Sequence, residues 1–127
     1  MTAGVVLYAK DLARLSSFYE HVLGLVVDEE GDGHRVLVGS EIELALVAIP
    51  AELAARIEIA DPPARREGTP IKVAFAVADL ATARALAPGW GGSVDGVDAE
   101  WTFRGRVVCD GQDPEGNVVQ LRSVPAP

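Results

Sequence analysis

The chain repeats itself once, and that repeat constrains its fold more than any other feature. Val5-Val-Leu-Tyr-Ala-Lys-Asp-Leu-Ala13 matches Val73-Ala-Phe-Ala-Val-Ala-Asp-Leu-Ala81 position by position. Each copy reads as a short apolar strand that runs into Asp-Leu-Ala and then a helical pattern. Asp11 and Asp79 are placed to accept the unpaired amides of a first helical turn. Behind Asp11, the apolar residues Leu12, Leu15, Tyr19, Val22 and Leu23 recur at helical spacing, and Gly24 supplies a left-handed stop. Behind Asp79, Leu80, Ala83, Leu86 and Ala87 form a shorter stripe, which Pro88 and Gly89 should end.

Strand patterns follow each helix. In the first half they cover 25–29, 34–38 and 42–49, separated by turns at Gly31-Asp-Gly33 and Gly39-Ser40. In the second half they cover 93–97, 106–109 and 117–122, the last two joined by a turn-rich stretch over 110–116. The order strand-helix-strand-strand-strand, met twice, predicts a single α+β domain. Module one spans about 1–50, a proline-rich connector about 51–70, and module two about 71–127. The stretch 51–60 reads equally as a short helix or as an extension of the preceding strand. A half-sheet of this size exposes one face and two edges, so the two modules are expected to pack together.

Charge and cysteine content limit the partners. A net charge of -8 gives no basic footprint for phosphates, which argues against nucleic acid. No apolar run reaches bilayer length, and the first residues lack the basic-then-apolar pattern of a secretion signal, so a cytoplasmic protein without a membrane partner is expected. Cys109 is the single cysteine. It sits in the apolar run Val107-Val108-Cys109 and reads as a small buried hydrophobe, not a nucleophile.

Several motifs occur together, in order, along nearly the whole chain: Leu7-Tyr-Ala-Lys-Asp-Leu12, Phe18-Tyr19 with Leu23-Gly24, Val77-Ala-Asp-Leu80, and Asp113-Pro-Glu-Gly-Asn-Val-Val-Gln-Leu121. They resemble the vicinal oxygen chelate superfamily, the glyoxalase, bleomycin-resistance and extradiol dioxygenase group. The resemblance implies two βαβββ modules forming a curled mixed sheet around a cup, with helices on the outer face. In metal-dependent members, it also implies ligands on the first and last strands of each module. The corresponding positions here are Gly4, Lys72 and Gln120, with Glu43 the most plausible counterpart in the fourth strand.

These four positions make a poor metal set. A catalytic divalent ion needs about three imidazole or carboxylate donors. Glycine offers none, and a lysine ammonium has no lone pair and repels a cation. Only Glu43 is a strong donor, so no metal and no cofactor is expected. His21, late in the first helix, and His34, at a strand start, lack partners at ligand spacing and read as structural. For Lys72 two readings stand open. Its ammonium either replaces the missing cation and pairs with Glu43 beside Gln120, or simply reaches solvent at the strand start.

Alternation places Gly4, Val6 and Tyr8 on the cup face, with Glu43, Ala45 and Val47, then Lys72, Ala74 and Ala76, then Val118 and Gln120. Trp101 is either a ring for stacking a flat ligand or a core or interface anchor, whereas Trp90 should pack at the end of the second helix. Arg106 reads as an exposed strand residue. The expected ligand-binding set is therefore Tyr8, Glu43, Lys72, Trp101 and Gln120. The function expected by resemblance is metal-independent sequestration of a small molecule, an antibiotic among the candidates, by a homodimer. The alternative is a lyase, isomerase or dioxygenase with displaced ligands, or with catalysis by Tyr8, Glu43 and Lys72.

Overall fold

The computed structural model describes residues 3–124; the outermost parts of the two expected modules, 1–2 and 125–127, lie outside the described residues. Module one contains β1 (Ala3–Ala9), α1 (Leu12–His21), β2 (Val26–Gly31), β3 (His34–Gly39) and β4 (Ile42–Ala48). A one-turn helix, α2 (Ala51–Ala54), opens the connector and resolves the ambiguity there in favour of helix. Module two contains β5 (Val73–Val77), α3 (Leu80–Leu86), β6 (Ser93–Val94), β7 (Trp101–Phe103), β8 (Arg106–Gln112) and β9 (Val118–Ser123). The α+β class and the paired βαβββ plan are as the repeat requires. No helix among the described residues is long and apolar enough to cross a membrane.

The two helix starts form as the sequence dictates. The Asp11 carboxylate accepts the Arg14 amide at 3.1 Å, and that of Asp79 accepts the Ala81 amide at 3.2 Å and the Thr82 hydroxyl at 2.6 Å. Gly24 takes the expected left-handed conformation, with φ of 73°. The second helix, α3, ends at Leu86, before Pro88-Gly89 as expected, and a 3-10 turn follows it. Pro88 has no amide to lose in the first positions of a 3-10 turn, so the chain coils on through Ala87–Trp90 and stops at left-handed Gly91.

Hydrogen bonding builds two mixed sheets rather than one. The first runs β1-β4-β3-β2 and the second β5-β9-β8-β6, with β7 pairing β8. In each, the module's first strand lies parallel to its last, β1 to β4 and β5 to β9. One face of each sheet is buried, and a single core joins them: Leu37, Leu44 and Leu46 from the first sheet, Leu15, Phe18 and Tyr19 from α1, Phe75, Val119 and Leu121 from the second. The tilted Tyr19 and Phe75 rings meet across the seam at 5.5 Å. Burying these side chains, at about 1.5–3 kcal/mol each, is the main force holding the modules together.

The turn between β8 and β9 closes the seam with charge. The Asp113 carboxylate, fully buried, accepts the Tyr19 hydroxyl at 2.7 Å, the Asn117 side-chain amide at 2.9 Å and the backbone amides of Glu115 and Asn117. Glu115 reaches into module one, where its two oxygens accept the backbone amides of Lys10 and Asp11, both at 2.9 Å. The Asp-Pro-Glu-Gly-Asn turn is thus a clasp between modules.

Burial and the neighbouring Asp113 carboxylate push the Tyr19 hydroxyl well above its ordinary range. The folded chain therefore holds this proton where the unfolded chain, with a value near 10, releases it. Stability from this group is complete below that pH and is lost as the pH rises beyond it. Tyr19→Phe should cost about 1–2 kcal/mol at pH 8. Its deficit against the parent, measured by urea unfolding, should narrow steadily above pH 10; a constant deficit would exclude the linkage.

Candidate functional site

On the face of the second sheet that looks away from the core, the strand register assembles a polar cluster. Ala74, Gln120 and Asp110 lie in line across β5, β9 and β8. The next line runs Ala76, Arg122, Val108 and Trp101, reaching β7. The two alanines make a low floor, and longer side chains stand around it. Lys72, immediately before β5, extends over this floor, and its ammonium meets Asp110 Oδ2 at 3.0 Å. The same ammonium lies 5.7 Å from the centre of the Trp101 ring.

Arg122 and Gln120 are joined on the same face. Arg122 Nε donates to Gln120 Oε1 at 2.7 Å, while its guanidinium sits 5.1 Å from the Phe103 ring centre. Among the described residues, the terminal nitrogens of Arg122 have no acceptor. Asp110 Oδ1 is buried and accepts no hydrogen bond among the described residues. Asp110 Oδ2 accepts from Lys72 alone among these residues, and a carboxylate oxygen has room for a second donor, such as a bound N–H or O–H. Trp101 and Phe103 keep 40% and 43% of their surface exposed, so flat aromatic area borders the cluster. At its far end Arg65, from the connector, is held by Asp95 at 2.6 Å and Gln112 at 3.0 Å.

The expected ligand-binding residues divide between the two sheets. Lys72, Trp101 and Gln120 come together on the second. Tyr8 and Glu43 stand on the open face of the first, where Glu43 lies against Gly4, its register partner. A β-carbon added at Gly4 would approach Glu43 Oε2 to 3.4 Å, so these two positions are neighbours in space. Neither of the two readings left open for Lys72 describes it: the ammonium pairs with Asp110, not with Glu43, and does not simply reach solvent. The reason is topological, since Glu43 belongs to a sheet with no strand pairing to the second, whereas Asp110 is two strands from Lys72 in its own.

Asp110, Arg122 and Phe103 escaped the sequence reading. Arg122 shares the strand parity of Gln120, and alternation alone would have placed it beside that residue. The turn-rich stretch over 110–116 places Asp110 at the start of a turn, but β8 continues through Gln112 and makes it a strand residue. His21 is exposed in the last turn of α1, and Trp90 packs at the end of the coil that continues the second helix, as expected. The rings of His21 and Trp90 stack at 3.8 Å between centres, 8° from parallel, so Trp90 also rests on α1. His34 pairs with Glu29 at 2.8 Å. Cys109 is buried, as expected, with its sulfur toward the Asp95 carbonyl at 3.3 Å, and burial raises its thiol pKa.

The residues present do not fit a divalent metal. Gly4 has no donor, the Lys72 ammonium is held by a carboxylate, and Gln120 Oε1 already accepts from Arg122. No group of three histidine, cysteine, aspartate or glutamate residues among the described residues is placed to hold an ion. A separate crevice of about 230 Å³ opens at the seam between the sheets, walled by Val5, Leu7, Val73, Phe75 and Val119 with Tyr19 behind them. It is apolar and lacks the charged groups of the open face.

Comparison with known proteins places these features in context. The family model for the glyoxalase-like domain matches residues 4–122. The fold is shared with a glyoxalase/bleomycin resistance protein/dioxygenase family enzyme from Burkholderia phytofirmans PsJN, at 21% identity, with 95% of this chain and 96% of that one covered and a TM-score of 0.65. It is also shared with a glyoxalase/bleomycin resistance protein from Albidiferax ferrireducens T118, at 17% identity, 98% and 99% coverage and a TM-score of 0.66. A bleomycin-binding protein complexed with bleomycin matches at 19% identity over 98% of both chains, with a TM-score of 0.61. No curated protein matches the sequence.

Proposed function

Because the chain belongs to the glyoxalase-like domain family, we propose that it binds a small organic molecule, as the bleomycin-binding protein binds bleomycin, and that it does so without a metal. One observation carries this reading. At the positions where the family resemblance implies metal ligands, the Lys72 ammonium and the Gln120 amide are engaged by Asp110 and Arg122, beside two exposed aromatic rings. Such a face has hydrogen-bonding groups and flat apolar area, which suit an organic ligand. It lacks the donors that a Lewis-acid reaction needs.

A homodimer is part of the proposal. On the open face of the first sheet, Val6 and Tyr8 remain 59% and 66% exposed, and Val26 64%. Apolar side chains on one sheet face are what a second copy would cover.

One preparation tests both parts. Sedimentation should give twice the 13.3 kDa chain mass, and elemental analysis should find far less than one metal per chain. In a thermal-shift panel of planar antibiotics and metabolites, a ligand at about a hundred times its Kd should add roughly 2.7 kcal/mol, several degrees in Tm. Stoichiometric zinc, nickel, manganese or iron held by side chains would overturn the proposal in favour of the lyase, isomerase or dioxygenase alternative.

A further inference from the structure

The open face of the second sheet has a charge opposite in sign to the chain as a whole. Arg65, Lys72, Arg106 and Arg122 stand on it or at its rim against Asp95 and Asp110, an excess of cations in a chain of net charge -8. Two of the cations are spent internally, Arg65 on Asp95 and Lys72 on Asp110. Among the described residues, Arg122 meets no carboxylate. Its Nε is fixed by Gln120 and its plane lies near Phe103, which pre-organises its terminal N–H donors for a carboxylate. Across the floor of Ala74 and Ala76, Asp110 Oδ2, which accepts from Lys72 alone among the described residues, has room for the opposite kind of group, a donor. The Trp101 ring borders both.

Resting on the small-molecule reading above, we infer that this face takes a planar aromatic carboxylate with an N–H or O–H donor next to the carboxylate. The carboxylate meets the Arg122 fork, the donor meets Asp110 Oδ2 beside the Lys72 ammonium, and the ring lies along Trp101. A cationic aromatic is disfavoured, because it would face Arg122 and Lys72 and bring the guanidinium no carboxylate.

Four probes separate these contributions: indole-2-carboxylate, 1-methylindole-2-carboxylate, indole and tryptamine, titrated by ligand-observed NMR. Indole-2-carboxylate should bind most tightly. Methylation of its nitrogen, which removes the donor, should weaken binding about fivefold, and loss of the carboxylate at least about tenfold. Arg122→Met, checked for folding by circular dichroism, should erase the preference for the carboxylate. Arg122→Lys, which keeps a charge without the fork, should retain part of it. Indole or tryptamine binding as tightly as indole-2-carboxylate would overturn the ligand class and leave the binding reading standing. Failure of all four to bind the folded parent at millimolar concentration would overturn the ligand class; the binding reading falls only if the thermal-shift panel also yields no ligand.

Discussion

Replacing Asp113 by alanine is expected to remove about 4 kcal/mol of stability, most of the roughly 5 kcal/mol that a domain at the lower end of the usual range possesses. The carboxylate receives four hydrogen bonds, from the Tyr19 hydroxyl, the Asn117 side chain and two backbone amides. Alanine leaves the Tyr19 hydroxyl and the Glu115 amide buried and the two Asn117 donors half-buried, and each unsatisfied buried donor costs about 1–3 kcal/mol before any relaxation. Asp113→Asn should lose less. Burial pushes the Asp113 carboxyl pKa up, so its ionised form is held there against a desolvation cost that an amide avoids. The amide also keeps one oxygen for the two backbone donors. Urea unfolding at pH 7 measures both variants. A loss under about 1 kcal/mol for alanine would mean that the clasp does not hold the modules.

Gly92→Ala should be nearly as damaging, at about 3 kcal/mol, the upper end of the overpacking range. A β-carbon there would fall far inside contact distance of the Gln112 carbonyl oxygen and of the Phe18 ring. One obstacle is strand backbone and the other a fully buried ring, so neither yields readily. Phe18→Leu alone should cost about 1–2 kcal/mol through the smaller side chain. In the double variant the leucine relieves part of the clash, and the losses should fall short of their sum by about 1 kcal/mol. Strict additivity in a double-mutant cycle would show that α1 does not press on Gly92.

Most of the architecture was legible because its signals are local. An aspartate cap followed by a helical stripe is written within about a dozen residues, and the two copies announce each other. The alternation of open-face and core-face residues also follows from strand geometry alone, and Val5, Leu7, Leu44 and Leu46 face the core as that pattern requires. The short strand β7 was missed although its signal was present. Arg104 and Gly105, with φ of 52° and 76°, form a two-residue turn with both positions left-handed, which favours a hairpin between β7 and β8.

The site was only half legible, for a different reason. Which residues share a face depends on strand parity, but which of them touch depends on sheet order. Lys72 could be placed on the open face from its own strand. That its ammonium would find Asp110 and not Glu43 depends on β9 and β8 lying beside β5, a long-range fact that no local pattern records. The Asp113–Asn117 motif shows the same limit, since it identified the family while its bonds to α1 and the start of that helix remained invisible.

Those bonds impose an order on biosynthesis. The amides of Lys10 and Asp11 find their acceptor in Glu115, 105 and 104 residues further along the chain. At ordinary elongation rates of about 5–20 residues per second, the start of α1 must wait roughly 5–20 s on the ribosome before that acceptor is made. During this interval the nascent first module lacks the clasp and the apolar wall supplied by Phe75, Val119 and Leu121. A chaperone-sized window of exposure is therefore built into the order of synthesis, and a circular permutant that begins with module two would move that exposure to the other half.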